Sequence, residues 1–467
     1  MSATLTTPAA APRSTPERTA RLANAPESRL AAWHVVVPVL VVVGLTTLAW
    51  VSHGGVAGLL GGGRGAWLAL GQLSGLWLAL AGWAGVILAA RPGIVERRFG
   101  LDGLLRVHRW VGIGTGLLVL VHVGAVLVAG RADGATSVAS MSAGLVALLA
   151  EPWMVAAVAG ATLFVLVALS SWRRLRTRMA YETWYFLHLT GYLGVLLAVA
   201  HQFTAGTDIA TDPVVLAWWV AVSAGAVLVV VFARVRDVAE TLVRGRLTVT
   251  AVEPVAPDTV AVTVAGPGLA STRVSAGQYF RVRLLTRGRW WQSHPFSVSA
   301  EPTSRGLRFT IKALGDGTRD LQHVPVGARV LLSGPYGVFT ARRAQGRPVV
   351  LVGGGVGLAP LRSVLADCGP TQTPVVVARA RRPSDVPHRD EMRQLAAQRR
   401  GTYHEVLGPT AHLAADPFGE PLRRAVPDLA DREAFVCGPN RLVRAAVRGL
   451  RDAGVPAARI HTEFFPV

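Results

Sequence analysis

Residues 107–129 read VHRWVGIGTGLLVLVHVGAVLVA and residues 184–205 read WYFLHLTGYLGVLLAVAHQFTA. Each run is apolar over about the 20 residues that a helix needs to cross a bilayer, and each carries two histidines, His108 with His122 and His188 with His201. Ionisable side chains inside membrane spans are costly and usually functional. The members of each pair stand fourteen and thirteen residues apart, which is roughly 20 Å along a helix. Four imidazoles therefore mark two levels in one bilayer, provided that both runs enter it from the same side.

Four further apolar runs of similar length occupy residues 31–51, 66–90, 152–171 and 213–233, six in all. The arginines fix their direction. Arg13, Arg18, Arg21 and Arg29 precede the first run; Arg91, Arg97, Arg98 and Arg106 lie between the second and third. Arg173, Arg174, Arg176 and Arg178 lie between the fourth and fifth, and Arg234 and Arg236 follow the sixth, whereas the opposite loops hold only Arg64 and Arg131. By the positive-inside rule both termini are cytosolic and the third and fifth runs both start from the cytosol. The expected location is the cell membrane, as a multi-pass protein with the lipid bilayer as its surroundings. The first run follows a long polar stretch and five more runs follow it, which argues against a cleaved signal peptide. Residues 1–30, rich in Ala, Pro, Ser, Thr and Arg, bury too little to fold alone and are expected to form a disordered cytosolic tail. A mean hydropathy of +0.40 excludes an ordinary soluble enzyme. The net charge of +20 comes from arginines spread along the chain with no aromatic-interleaved basic patch, so no nucleic-acid partner is expected.

With that direction His108 is level with His188, and His122 with His201. Two facing imidazoles at each level would supply both axial ligands of a haem iron. The four residues are read as the metal ligands of two b-type haems, one near each membrane surface. Thirteen residues leave two side chains well over a third of a turn apart on a helix. The fifth span is therefore expected to tilt, to kink or to bind its haems on different faces.

From residue 246 the pattern changes to short β-branched runs at 247–252, 259–264, 279–284 and 307–312, separated by Gly, Pro and Asp. Such spacing predicts a small antiparallel barrel. From residue 348 it becomes strand 349–352, Gly-rich turn 353–357, helix 360–366 and strand 375–378, the grammar of a parallel sheet. The expected fold class is a membrane all-α six-helix bundle plus a cytosolic antiparallel β-barrel and an α/β parallel-sheet nucleotide-binding domain. The domains are set at 1–30, 31–235, 240–343 and 347–467. Cys368 and Cys437, far apart in sequence, fit a reducing compartment without a disulfide framework.

Paired histidines at these spacings, followed by such a module, resemble the ferric reductase and NADPH oxidase superfamily over about residues 33–467. The resemblance implies six spans fused to a ferredoxin-reductase-like unit, with FAD in the barrel and NADPH or NADH in the α/β domain. His294-Pro295-Phe296-Ser297 is similar to the family's flavin motif, in which the ring packs on the flavin and the hydroxyl of Ser297 faces its reactive nitrogen. A buried hydroxyl there can hydrogen-bond one redox state and tune the potential. Gly277-Gln278-Tyr279-Phe280 stands upstream, as in the family. Lys312 and Gly315-Asp316-Gly317-Thr318 stand downstream, where relatives hold the flavin pyrophosphate with a cation and turn amides. The Gly334-Pro335-Tyr336-Gly337 turn closes the barrel.

Gly353-Gly354-Gly355-Val356-Gly357 follows a strand and precedes a helix, so its backbone admits a pyrophosphate and the helix start offers amides and a positive dipole. Arg379, Arg381 and Arg382 end the next strand and favour NADPH over NADH, since arginine suits a 2′-phosphate. Cys437-Gly438-Pro439 resembles the family's motif beside the nicotinamide. Phe465 matches the near-terminal aromatic that relatives place over the flavin. Ser297, Cys437 and Phe465 are thus the residues expected at the hydride-transfer centre. The implied route runs from cytosolic NAD(P)H through FAD and both haems to an extracytoplasmic acceptor, a ferric chelate or O2. NADPH oxidases carry a further histidine one turn past the outer ligand of the third span; Val126 stands there instead, a departure that bears on the oxygen alternative. His53, Arg64, Arg131 and Gln202 are candidates for an outer pocket. Two other readings stay open: a membrane electron-relay subunit serving a periplasmic or extracellular partner enzyme, and a transporter or sensor with a vestigial nucleotide domain.

Overall fold

The computed structural model describes residues 32–130, 146, 149–286, 292–409 and 426–465. The expectations for the tail at 1–30 and for Arg131 lie outside them. The chain separates into two compact units, one holding the membrane helices and the other both sheets.

In the first unit six helices are long and apolar enough to cross a membrane: α1 (Trp33–Ser52), α2 (Gly63–Ala90), α3 (Gly93–Ala129), α4 (Pro152–Ser171), α5 (Tyr181–Thr204) and α6 (Pro213–Arg244). Their large side chains face outward: Leu40, Leu117, Leu166, Leu196, Leu228 and Phe232 are all exposed. That inverted pattern is stable only in hydrocarbon, so lipid is this unit's solvent. Hydroxyls inside the spans return to their own helix. Thr47, Ser74, Thr115 and Thr162 each donate to the carbonyl four residues back, which removes the penalty of an unpaired polar group in lipid. α2 packs along α3, and α4 along α5.

Two helices are longer than their apolar runs. α3 begins fourteen residues before the run at 107, as a short segment joined to the span through Gly100, whose φ of 71° breaks the helix. α6 continues eleven residues past 233, because Val235, Val238 and Leu242 keep a helical spacing among Arg236, Asp237 and Glu240. Hydropathy ends there and helicity does not. A short helix, Gly55–Leu60, follows α1 and has no counterpart in the hydropathy pattern.

The second unit holds two sheets. The first is six-stranded, in the order β4-β3-β6-β1-β2-β5, from β1 (Leu247–Ala256), β2 (Thr259–Ala265), β3 (Tyr279–Leu284), β4 (His294–Ser297), β5 (Leu307–Lys312) and β6 (Arg329–Tyr336). The pairings β1–β2, β1–β6, β2–β5 and β3–β4 are antiparallel. Val298, the residue after β4, bridges Phe309 of β5, and among the described residues no ladder joins the two outer strands. Alternation sends Leu307, Phe309 and Ile311 of β5 into the core and leaves Arg308, Thr310 and Lys312 on the other face. Phe280 and Phe309 meet edge to face at 6.0 Å inside, a contact of about 0.5–1.5 kcal/mol beyond burial.

The second sheet is parallel throughout, in the order β11-β10-β7-β8-β9, from β7 (Val349–Gly354), β8 (Val375–Ala380), β9 (Thr402–Leu407), β10 (Glu433–Pro439) and β11 (Ile460–Phe465). The central strand β7 is buried along its whole length, as a sheet covered on both faces requires. α8 (Leu358–Asp367) and α9 (Arg389–Gln398) supply Leu361, Val364 and Met392 to one covering core, and α10 (Asn440–Asp452) supplies Leu442, Val443 and Leu450 to the other. The small helix of the first sheet, α7 (Asp316–Leu321), follows β5. Strand order reverses between β7 and β10, which places the ligand crevice of such a sheet at their C-terminal ends.

Candidate functional site

In the membrane unit α3 and α5 bring the four histidines together as two couples. The His108 and His188 rings lie 6.0 Å apart between centroids at 69°, and those of His122 and His201 lie 6.3 Å apart at 42°. An iron held by two opposed imidazole nitrogens at about 2 Å each needs ring centroids roughly 6 Å apart. α5 is one continuous helix from Tyr181 to Thr204, and side chains thirteen residues apart on it stand well over a third of a turn apart. His122 Nδ1 donates to the Gly71 carbonyl at 2.8 Å, which leaves Nε2 as the free ligand atom. His188 Nδ1 lies 3.3 Å from Ser171 Oγ, and Trp184 stacks on its ring at 4.9 Å.

A cavity of about 640 Å³ opens beside the second couple, lined by His122 and His201 and otherwise mostly apolar. Its size is in the range of cofactor sites, ~300–1,000 Å³. Gly75 forms part of the wall, and a Cβ there would stand 2.7 Å from His122 Cε1, so only glycine leaves the ring its place. Among the described residues no three His, Cys, Asp or Glu side chains cluster as a metal site. Two ligands per iron are what haem asks for, because its macrocycle supplies the rest. The residues therefore fit the group. Val126 lies on the cavity wall, as does Gln202, which accepts from Trp219 Nε1 at 2.9 Å. His53 is engaged with Asp212 at 3.0 Å, and Arg64 is exposed.

In the antiparallel sheet β3 and β4 set Tyr279 opposite Ser297 and Phe280 opposite Phe296. Ser297 is buried and its Oγ has no hydrogen-bond partner among the described residues. A buried hydroxyl left unpaired costs stability unless a ligand satisfies it, which suits a flavin atom. His294 and Phe296 are half-buried with rings 6.3 Å apart, and Pro295 is exposed. Lys312 ends β5 half-buried. Thr318 Oγ1 takes up the amides of Leu314 and Gly315 at 2.9 and 3.0 Å. The Asp316 and Gly317 amides lie at the start of α7.

In the parallel sheet the two cofactor motifs meet at the strand-order reversal. Gly353 of β7 stands level with Cys437 of β10, and Gly354 ends β7 level with Arg379 of β8. The turn Gly355–Gly357 follows, with Gly355 at φ 57°. A Cβ on Gly357 would lie 2.4 Å from the Cys437 carbonyl and 2.6 Å from Gly438 Cα. β11 places Glu463 beside Cys437, and Phe465 beside Pro439, so the backbones of Cys437-Gly438-Pro439 and Glu463-Phe464-Phe465 adjoin. Both cysteines are buried and neither forms a disulfide. Burial pushes the Cys368 thiol up to about 12, so it is inert. Arg379 is turned inward. Its guanidinium donates to the carbonyls of Val406, Gly408 and Pro409 at 2.7–2.9 Å and to that of Ala380, stitching β8 to the loop after β9. Arg382 pairs with Asp385 at 3.3 Å, and Arg381 is exposed beside them.

The described residues combine six helices long and apolar enough to cross a membrane with one antiparallel and one parallel sheet. Residues 66–199 match the family model "Ferric reductase like transmembrane component", and residues 245–340 match "FAD-binding domain". The chain thus has the architecture of the ferric reductase and NADPH oxidase superfamily. It is similar to the reductase component of propane 2-monooxygenase from Rhodococcus jostii, 29% identical over 245 residues, covering 47% of this chain and 63% of the relative. A flavohemoprotein from Halalkalibacterium halodurans is 29% identical over 225 residues, covering 43% of this chain and 54% of the relative. The chain therefore spans between half and two thirds of these relatives' length. Among solved structures, a cytochrome P450 reductase from Amycolatopsis aligns at a TM-score of 0.40 and 24% identity over 47% of this chain and 69% of the other. A flavohemoglobin from Malassezia yamatoensis aligns at 0.45 and 18% identity over 86% and 96%.

Proposed function

We propose that the chain takes electrons from cytosolic NADPH, through FAD and two b-type haems, to an acceptor across the membrane, a ferric chelate or O2. The domains are those at 31–235, 240–343 and 347–467, in the plasma membrane with both termini cytosolic. The observation that carries the reading is the pair of histidine couples on α3 and α5, each at the separation that a shared iron needs. His108 and His188 are the ligands of the inner haem, and His122 and His201 those of the outer one. Flavin supplies the adapter between a two-electron hydride and haem iron, which takes one electron at a time.

The chain's own residues do the rest. Glycines 353, 354, 355 and 357 admit the dinucleotide backbone, with Arg381 on the 2′-phosphate. Cys437, Gly438 and Pro439 flank the nicotinamide, and Phe465 covers the flavin until the nicotinamide arrives. Tyr279, His294, Pro295 and Phe296 hold the flavin ring, and Ser297 donates to it. Lys312 with the Asp316 and Gly317 amides holds its pyrophosphate, and Thr318 fixes the turn at Gly315 that presents them. Arg379 shapes the adenosine pocket without touching phosphate.

The test is an anaerobic optical titration of detergent-purified protein with NADPH, followed by ferric chelate or air. The expected result is two haems and one flavin per chain, reduced by NADPH and reoxidised by one acceptor. A protein without haem absorbance sinks the reading. One whose reduced haems neither acceptor oxidises is instead a relay for a partner enzyme.

A further inference from the structure

α8 starts where the glycine-rich turn ends, so the contacts that seat α8 on the antiparallel sheet also seat the dinucleotide turn relative to the flavin strand. Two polar bridges do this. Ser363, fully buried on α8, donates to the Ala300 carbonyl at 2.8 Å and accepts the Gly277 amide at 3.3 Å. Arg362, one residue earlier, reaches the Glu391 carboxylate of α9 at 2.8 Å. That carboxylate also receives both terminal nitrogens of Arg308 on β5, at 3.0 and 2.7 Å. His388, held at φ 56° just before α9, sets Nδ1 3.5 Å from Glu391 and Nε2 2.8 Å from Thr310 on β5. One carboxylate thus ties a strand of the antiparallel sheet to two helices of the parallel one.

The Arg308 and Arg362 side chains are only 15% and 14% exposed. Without Glu391 two largely desolvated cations would face each other and force the sheets apart. A bidentate arginine–carboxylate pair fixes angle as well as distance, and its main yield in such a setting is geometry more than stability. Geometry is also what hydride transfer depends on, since a misplacement of ~1 Å costs about a hundredfold in rate.

We propose that Glu391, gripped by Arg308 from the flavin sheet and by Arg362 from the helix after the glycine turn, is a positioning residue that sets the approach of nicotinamide to flavin. This rests on the hydride-transfer reading above. None of the three residues is needed to touch either cofactor.

The experiment is anaerobic stopped-flow reduction of the flavin by NADPH in the whole chain, comparing wild type, Glu391→Gln, and Glu391→Asp, which keeps a carboxylate between the two arginines. Glu391→Gln should retain FAD, and its dissociation constant for NADPH should stay within about threefold. Its limiting rate of flavin reduction should fall about a hundredfold, with loss of the long-wavelength nicotinamide–flavin charge-transfer band. Glu391→Asp should recover most of the rate and the band. A Glu391→Gln rate within twofold of wild type overturns the proposal, and so does loss of FAD or of NADPH binding in step with the rate, which would make the cluster structural only. A wild-type flavin that NADPH and NADH both fail to reduce overturns the functional reading and this proposal with it.

Discussion

His122 holds its place through two neighbours on α2, the Gly71 carbonyl that fixes its tautomer and the missing side chain of Gly75. Gly75→Leu should therefore act like His122→Ala. Each is expected to lower haem from two to one per chain by pyridine haemochrome assay, and two haems in His122→Ala would refute the ligand assignment. Gly357 is constrained by backbone, which cannot give way as a side chain can. Gly357→Ala should cost about 1–3 kcal/mol of local packing and raise the KM for NADPH about tenfold or more while FAD stays bound. At Glu391 the sign of the pH dependence follows from its neighbours. The His388 imidazole beside it, with Arg308 and Arg362, holds its carboxyl well below the usual carboxylate range. A folded-state pKa below the unfolded one gives stability that is complete above the unfolded value, about 4.3, and fades only as pH falls through the lower folded value. The melting-temperature gap between wild type and Glu391→Gln should accordingly stay flat from pH 8 to 5 and close only in stronger acid.

Among elements, the inward turn of Arg379 separates two roles that share one strand end. Arg379→Met should slacken the loop after β9 and raise KM for NADPH and NADH alike, whereas Arg381→Ala should raise KM for NADPH alone. The elements that could be read from sequence are those whose surroundings demand one pattern: spans, because hydrocarbon tolerates nothing else, and β1, β2, β3 and β5, because one face meets a core. The start of α3 and the end of α6 were not legible, since helices leaving the lipid keep their spacing but lose their hydropathy. β9 was missed because, at the edge of its sheet, it is only partly buried and mixes Tyr403, His404 and Glu405. The histidine levels could be read from spacing. Gly71 and Gly75 could have been found too, as glycines one turn apart in an apolar run. The cluster at Glu391 could not, because its arginine on β5 lies 83 residues away and nothing local pairs them. The one hint was Arg308 and Thr310 alternating with buried Leu307, Phe309 and Ile311.

For the molecule as a whole, the arginine distribution sets a direction that experiment can check. Protease added to intact cells should leave the C-terminal module untouched, and protease added to inverted membrane vesicles should release it; the reverse would refute cytosolic termini. Stripping the flavin should leave both haems oxidised under excess NADPH yet reducible by dithionite, since no other part of the chain converts a hydride into single electrons. The register of β11 also has a practical consequence. Its last residue lies beside Pro439, at the rim of the crevice where the strand order turns. If the nicotinamide enters there, as proposed, bulk added beside Phe465 would obstruct its traffic, so material for kinetics is better tagged away from β11.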